Sequence, residues 1–382
     1  MYQDQDAISS LQVDAGSTSL TDEHLMALNR EQILELPAQS RMRWFSLLQV
    51  EHAELVRVID QLEELLDPEN EVKIISIIGP TGIGKTTLAK TILTKLVSGM
   101  SVNRKAHEVP VVYVCAPANG EKSMSWKALY RRIKIAAGEL YVDMQRPVEV
   151  RDGELHALRS QRQSLAHLRE ELETVIKHRN VRVLVIDEAM HLLRFNENTA
   201  IMDTLKSLAD IHQTKLVLIG TYQIAPLMIE YGQLARRSAI LHYKRYAKPA
   251  SRNRSADDLS KAERNFLEAV SRIQQQWPCA RVPNLVAIWE QLMQLSLGSV
   301  GLLKSQLLQL ASLQMSRKGE ALLETDLQRA FKPPKQLRKI ENETVQGEEE
   351  LEGACYGEAD FGDATAVAQL FARLTKKEVA NA

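Results

Sequence analysis

The chain has 382 residues, 45% apolar and 25% charged, with a net charge of −1. This suits a globular protein of about two domains, and it excludes a disordered polyelectrolyte or a whole-molecule basic field for nucleic acid. Cys115, Cys279 and Cys355 lie far apart without metal-ligand spacing, the start MYQDQDAISS is unlike a signal peptide, and no apolar run nears the roughly 18–20 residues of a membrane span. The expectation is therefore a cytoplasmic protein with no zinc site, no disulfide framework and no membrane partner.

Residues 1–20 are polar and rich in Ser, Asp and Gln, the composition of a segment without a packed core. Thr21 is a good N-cap for a helix over 21–36, which Pro37 ends. A second helical stretch, 40–66, carries Phe45, Leu48, Leu55, Val58, Ile59, Leu62 and Leu65 at three- and four-residue spacings, completing an N-terminal helical extension over 1–70. Short apolar runs then alternate with helical patterns. Strands are expected at 73–78, 111–115, 182–187, 215–220 and 239–243, and helices at 86–98, 161–177 and 198–210. That alternation predicts an α/β fold over 71–247, a parallel sheet with helices on both faces. A polar, basic linker at 248–257 leads to four helical patterns, 261–276, 283–295, 300–318 and 324–331, an all-helical second domain over 248–332. Pro333-Pro334 ends it. Residues 333–382 are acidic and are read as a flexible tail with a short amphipathic helix at 364–374, suited to docking in a partner's groove.

Residues 79–86, Gly79-Pro80-Thr81-Gly82-Ile83-Gly84-Lys85-Thr86, match G-x-x-x-x-G-K-S/T between an expected strand and an expected helix. Glycines let such a loop wrap phosphate oxygens with its N–H groups turned inward, and the helix that follows presents its positive end to the same anion. Lys85 is expected on the β- and γ-phosphates and Thr86 on Mg²⁺, with Thr87 beside them. Val183-Leu184-Val185-Ile186-Asp187-Glu188 supplies the acidic partner at a strand's carboxyl end. There Asp187 holds the metal shell and Glu188 orients the attacking water, or else caps a helix. The pair implies a site for ATP and Mg²⁺ that hydrolyses the nucleotide. The strand at 111–115 lies between the two motifs, a layout that resembles the AAA+ ATPases rather than the small GTPases.

Further positions follow from that resemblance. Thr221, ending the fourth strand, stands where AAA+ proteins keep a polar sensor, although a turn-forming Thr reads equally well. Arg236 and Arg237 stand where an arginine finger reaches the neighbouring subunit, with Arg237 preferred. Residues 298–304 resemble the start of a sensor-2 helix, with Lys304 where the family often has Arg. Lys122, Lys127, Arg131, Arg132 and Lys134 form one basic cluster, and Arg245, Lys248, Arg252 and Arg254 a second. Either is a solvated helix face or a phosphate-binding surface. His191 is open to reading as a ligand or catalytic base, but with no partner visible in the sequence a packed or capping histidine is the preferred reading.

Over residues 41–330 the chain resembles the TniB/TnsC family of AAA+ transposition regulators, similar in role to the phage MuB protein. The resemblance rests on the phosphate loop, on Asp187-Glu188-Ala189-Met190-His191-Leu192-Leu193, on Leu205-Lys206-Ser207-Leu208 and on Ile219-Gly220-Thr221, in that order and spacing. It implies ATP-dependent assembly of a ring or helical filament on double-stranded DNA, linking a target-selection protein to a transposase. It also implies DNA contacts at Lys122, Lys127, Arg131 and Arg132. A replication-initiator or helicase-loader ATPase, and a signalling or defence switch without DNA, remain as other readings.

Overall fold

Runs such as Ile74-Ile75-Ser76-Ile77-Ile78 are almost entirely β-branched, which suits strands covered on both faces, and all five of these residues are buried. The computed structural model describes residues 21–100, 105–118, 125–139, 148–151, 154–157, 164–192, 198–211, 213–226, 237–247 and 259–356. Residues 1–20, Lys122, Arg236, Lys248, Arg252, Arg254 and the stretch 364–374 lie outside them. In chain order the elements are α1 (Asp22–Ala27), α2 (Arg30–Leu34), α3 (Ala38–Leu47), α4 (Ala53–Leu66), β1 (Ile74–Ile78), α5 (Lys85–Met100), β2 (Val111–Cys115), α6 (Trp126–Ala136), β3 (Val148–Arg151), β4 (Glu154–Ala157), α7 (Leu165–His178), β5 (Val183–Asp187), α8 (Asn198–Ala209), β6 (Lys215–Gly220) and β7 (Ser238–His242). They continue as α9 (Lys261–Gln275), α10 (Trp289–Leu295), α11 (Val300–Ser316), α12 (Glu324–Ala330) and α13 (Pro334–Tyr356). Among the described residues no single helix is long and apolar enough to cross a membrane.

Five strands pair in the order β2-β5-β6-β1-β7, and every pairing is parallel. The register brings the carboxyl ends together. Ile78 of β1 pairs with Gly220 of β6 and His242 of β7, while Cys115 of β2 pairs with Asp187 of β5. Gly79, Thr221 and Tyr243 therefore leave the sheet at one level, with Asp187 beside them. Ligands of open α/β sheets bind at this edge. The fold is a parallel α/β core followed by a helical C-terminal region, as expected.

The chain divides into two compact units, one of Met1–Val50, Val270–Trp289 and Lys304–Phe331, the other of Glu51–Ala269, Glu290–Leu303 and Lys332–Ala382. These boundaries differ from those drawn at 70, 247 and 332, because the apolar faces of the helices pair by tertiary contact rather than by order along the chain. Within the helical unit, Phe45 packs edge-to-face on Trp277 with ring centroids 5.5 Å apart, and the Trp277 indole N–H donates to Gln314 Oε1 at 2.7 Å. Within the sheet unit, His52 begins α4 and bonds both tyrosine hydroxyls that follow β7, Tyr246 at 3.0 Å and Tyr243 at 3.2 Å.

Residues 357–382 lie outside the described residues. Residues 334–356 depart from the expectation of a flexible acidic tail, since α13 runs 23 residues from Pro334. Its acids mask a stripe, Leu337, Ile340, Thr344, Gly347 and Leu351, at alternating three- and four-residue spacing. Leu337, Thr344 and Leu351 are buried, Gly347 lies against the Tyr222 ring, and Glu348 forms a bidentate ion pair with Arg245 at 2.9 Å.

Candidate functional site

The phosphate loop leaves β1 and closes at the first turn of α5. Gly84 has φ +110°, a conformation that side chains strain to adopt. Gly301, in the first turn of α11, lies so close that a Cβ there would collide with the Gly82 carbonyl and the Gly84 N–H. Ser299 Oγ adds a bond to the Gly82 carbonyl at 2.9 Å. The start of α11 thus rests on the loop through Ser299 and Gly301. Lys304, the residue expected there to touch nucleotide, instead donates Nζ to the carbonyls of Ser46 (2.9 Å) and Leu48 at the end of α3. Unsatisfied carbonyls at a helix C-terminus draw a cation, and burial pushes this lysine down to about 8.

Lys85 Nζ donates to the carbonyls of Gly79 at 2.8 Å and Pro80 at 2.7 Å. Burial pushes its pKa down to about 8, against the opposing pull of the Asp187 charge. Thr86 Oγ1 lies 3.2 Å from Asp187 Oδ2, bringing the two expected metal ligands together. Asp187 is buried and fully engaged. Its Oδ2 also accepts the Tyr113 hydroxyl at 2.8 Å, and its Oδ1 accepts the Glu188 N–H at 2.7 Å. Tyr113 was missed in the sequence because it sits inside an apolar strand run. Its spacing from the end of β2, level with the acidic pair on β5, was the available signal. Burial and its bond to Asp187 hold the phenol far above its ordinary range, so it stays a donor.

Glu188 follows in the left-handed region, φ +53°, with its side chain 59% exposed. His191 is packed, as expected, and its Nε2 lies 3.3 Å from Glu188 Oε2, a partner the sequence does not show. Thr221 Oγ1 is buried without a hydrogen-bond partner, and it does not cap the turn that follows. A cavity of about 290 Å³ opens beside it, lined by Pro80, Thr81 and Thr221 on one side and by Glu343, Thr344 and Glu350 of α13 on the other.

The remaining candidates lie elsewhere on the fold. Arg237 precedes β7 and its carbonyl accepts the N–H groups of Lys73 (2.8 Å) and Ile74 (3.2 Å), at the opposite end of β1 from the loop. Lys127, Arg131 and Arg132 are exposed on α6, with Arg132 donating to the Cys115 carbonyl at 2.8 Å. Lys134 belongs to the buried face of that helix and pairs with Glu171 at 2.7 Å, so it leaves the surface cluster. Arg245 likewise is taken up by Glu348.

Comparison with known proteins agrees with this geometry. Residues 69–228 match the family model described as "AAA domain". The core of this chain is an AAA domain. No curated protein matches the sequence. Similar solved structures include the Aeropyrum pernix ORC2 protein (16% identity, 72% of this chain and 66% of that one, TM-score 0.45) and the Aeropyrum pernix ORC1 protein in complex with DNA (17%, 75% and 68%, 0.49). The Walker-type ATPase of Pyrococcus abyssi is another, at 15% identity, 77% and 73% coverage and TM-score 0.45. The chain spans 66% of the length of the first of these, just under two thirds. The AAA domain match together with the loop at 79–86 makes the core a P-loop NTPase domain.

Proposed function

We propose that the chain is an ATP-hydrolysing AAA+ protein that assembles as a ring or filament on double-stranded DNA and links a target-selection protein to a transposase. The observation that carries the chemistry is the meeting of Thr86 and Asp187 at 3.2 Å beside the desolvated ammonium of Lys85. Two hard oxygen donors and no sulfur or nitrogen ligand make a donor set that suits Mg²⁺. When bound there, such an ion would supply charge neutralisation for the phosphates. Thr86 and Asp187 are the residues that hold it.

Lys85 exchanges two loop carbonyls for phosphate oxygens, and burial strengthens that charge contact. Tyr113 and the Glu188 N–H fix the Asp187 carboxylate so that it does not rotate on arrival of the ligand. Glu188 accepts the proton of the attacking water, while Thr221 offers its unpartnered hydroxyl toward the phosphate end. Arg237 acts on the nucleotide of a neighbouring subunit. Lys127, Arg131 and Arg132 meet the DNA backbone without reading sequence.

Support for the transposition role comes from the order and spacing of residues 187–193, 205–208 and 219–221. The test is to mix protein with random-sequence duplex and a slowly hydrolysed ATP analogue and to image the product. Nucleotide-dependent assemblies without sequence preference are expected, and none with Lys85→Ala. Assembly by the Lys85→Ala protein removes the loop from the mechanism; absence of any DNA effect removes the transposition role.

A further inference from the structure

His191 is a residue that packing alone explains poorly. It sits in a short 3-10 turn, Ala189–Leu192, whose Ala189 and Leu192 are buried in the sheet's core. Its N–H donates to the Glu188 carbonyl at 2.9 Å, so the turn is already held by backbone and apolar contacts. The imidazole is largely buried at 14% exposure, yet Nδ1 has no hydrogen-bond partner. An aliphatic side chain would fill the same space without stranding a ring nitrogen. The one side-chain polar contact described for the ring is Nε2 to Glu188 Oε2, at 3.3 Å.

Glu188 needs such a contact. Its side chain is more exposed than buried and projects from a left-handed residue, so nothing else described fixes the carboxylate's direction. We propose that His191 is the positioning residue for Glu188, holding its carboxylate toward the site by an Nε2–H donor. The stranded Nδ1 fits this role, since the tautomer with its proton on Nε2 leaves a lone pair buried rather than an unsatisfied N–H. The inference rests on the reading of Glu188 as the group that activates water.

The experiment measures steady-state ATP turnover for His191→Ala, His191→Leu and His191→Gln, each alone and combined with Glu188→Gln. His191→Ala and His191→Leu should lower kcat about tenfold with KM for ATP unchanged. His191→Gln, whose amide nitrogen reaches near the Nε2 position, should recover most of that loss. On the Glu188→Gln background none of the three should lower turnover further, because a residue acting through another has no effect once that other is gone. Full turnover in His191→Leu, which keeps the packing and removes the donor, overturns the proposal. A further loss on the Glu188→Gln background does so as well. Full turnover in Glu188→Gln alone sinks the reading of Glu188 instead, and the two failures are thereby told apart.

Discussion

The Tyr113 hydroxyl donates to Asp187 Oδ2 at 2.8 Å, the same oxygen that lies 3.2 Å from Thr86 Oγ1. The two hydroxyls hold one carboxylate oxygen between them, in line with the register pairing of β2 with β5. Removing the phenol with Tyr113→Phe leaves the ring's packing intact and takes one charged-acceptor hydrogen bond from Asp187. Such bonds contribute on the order of 1.5–3 kcal/mol when buried, less where water can replace the donor. Tyr113→Phe should lower thermal stability slightly and raise the Mg²⁺ concentration needed for half-maximal turnover about three- to tenfold. An unchanged Mg²⁺ titration would show that the carboxylate does not depend on the tyrosine.

Lys85 makes stability and binding depend on pH in opposite directions. Its pKa is about 8 in the fold against an ordinary 10.5, so between those values the unfolded chain binds more protons than the folded one. Stability from this group therefore rises with pH across that window, and it is flat below about 8, where both states carry the proton. Lys304, also pushed to about 8, contributes in the same sense. Replacing Lys85 with Met should flatten the rise by removing one of the two. Triphosphate binding, in contrast, requires the ammonium. One pH unit above 8, restoring the proton weakens binding about tenfold, since one pKa unit corresponds to 1.36 kcal/mol. A fluorescent ATP analogue titrated at pH 7 and pH 9 checks this; equal affinities would rule out a neutral lysine in the empty loop.

Which parts of this were legible before the fold was seen follows from what each depends on. The strands β2 and β6 run over the residues expected, Val111–Cys115 and Lys215–Gly220, because apolar runs between polar breaks are local signals. The phosphate loop and acidic pair were legible for the same reason. The hairpin of β3 and β4 was missed although Asp152-Gly153, a strong two-residue turn signal, lies between them in the sequence. The expected helix over 40–66 breaks instead into α3 and α4, the second starting at His52. Nothing local marks that break. His52 is held by Tyr243 and Tyr246, more than 190 residues away in sequence, and no pattern within a helical window carries such a contact.

The same blindness to distant contacts hid α13, and its contact with Tyr222 yields a direct test. A Cβ at Gly347 would collide with the Tyr222 side chain, where rigid ring atoms rather than a flexible end receive it. Tyr222 itself adjoins Thr221 at the sheet edge. Gly347→Ala favours the helix intrinsically by up to about 1 kcal/mol, but overpacking of this kind costs about 1–3 kcal/mol. The collision should win, lowering thermal stability and exposing 334–356 to limited proteolysis. Replacing Gly99, which a Cβ would leave without any neighbour, is the control and should be neutral or stabilising. Equal protease resistance in both variants would show that α13 does not depend on a close approach at Tyr222.

On the proposed function, Arg237 acts between subunits rather than within one. Its carbonyl accepts from Lys73 and Ile74 at the amino end of β1, while the phosphate loop begins after the carboxyl end. Five strand residues at about 3.3 Å each put roughly 17 Å between these points, beyond a guanidinium's reach. Its exposed pair with Asp210, at 3.8 Å, is too loose and solvated to hold it in place. Arg237→Ala should therefore leave ATP affinity of the isolated subunit unchanged and reduce turnover only in the DNA-bound assembly. An arginine acting between subunits is worth about 10³–10⁵ in rate in the best cases, so a loss of tenfold or more is expected. Mixing Arg237→Ala with Glu188→Gln subunits, whose Lys85 loop is intact for assembly, decides the matter. Each variant alone turns over slowly in the assembly, but an interface that joins an intact arginine to an intact catalytic site should turn over fast, so mixtures should exceed the average of the two variants alone. Mixtures that stay at that average while still co-assembling on DNA would exclude Arg237 as the group supplied by the neighbour.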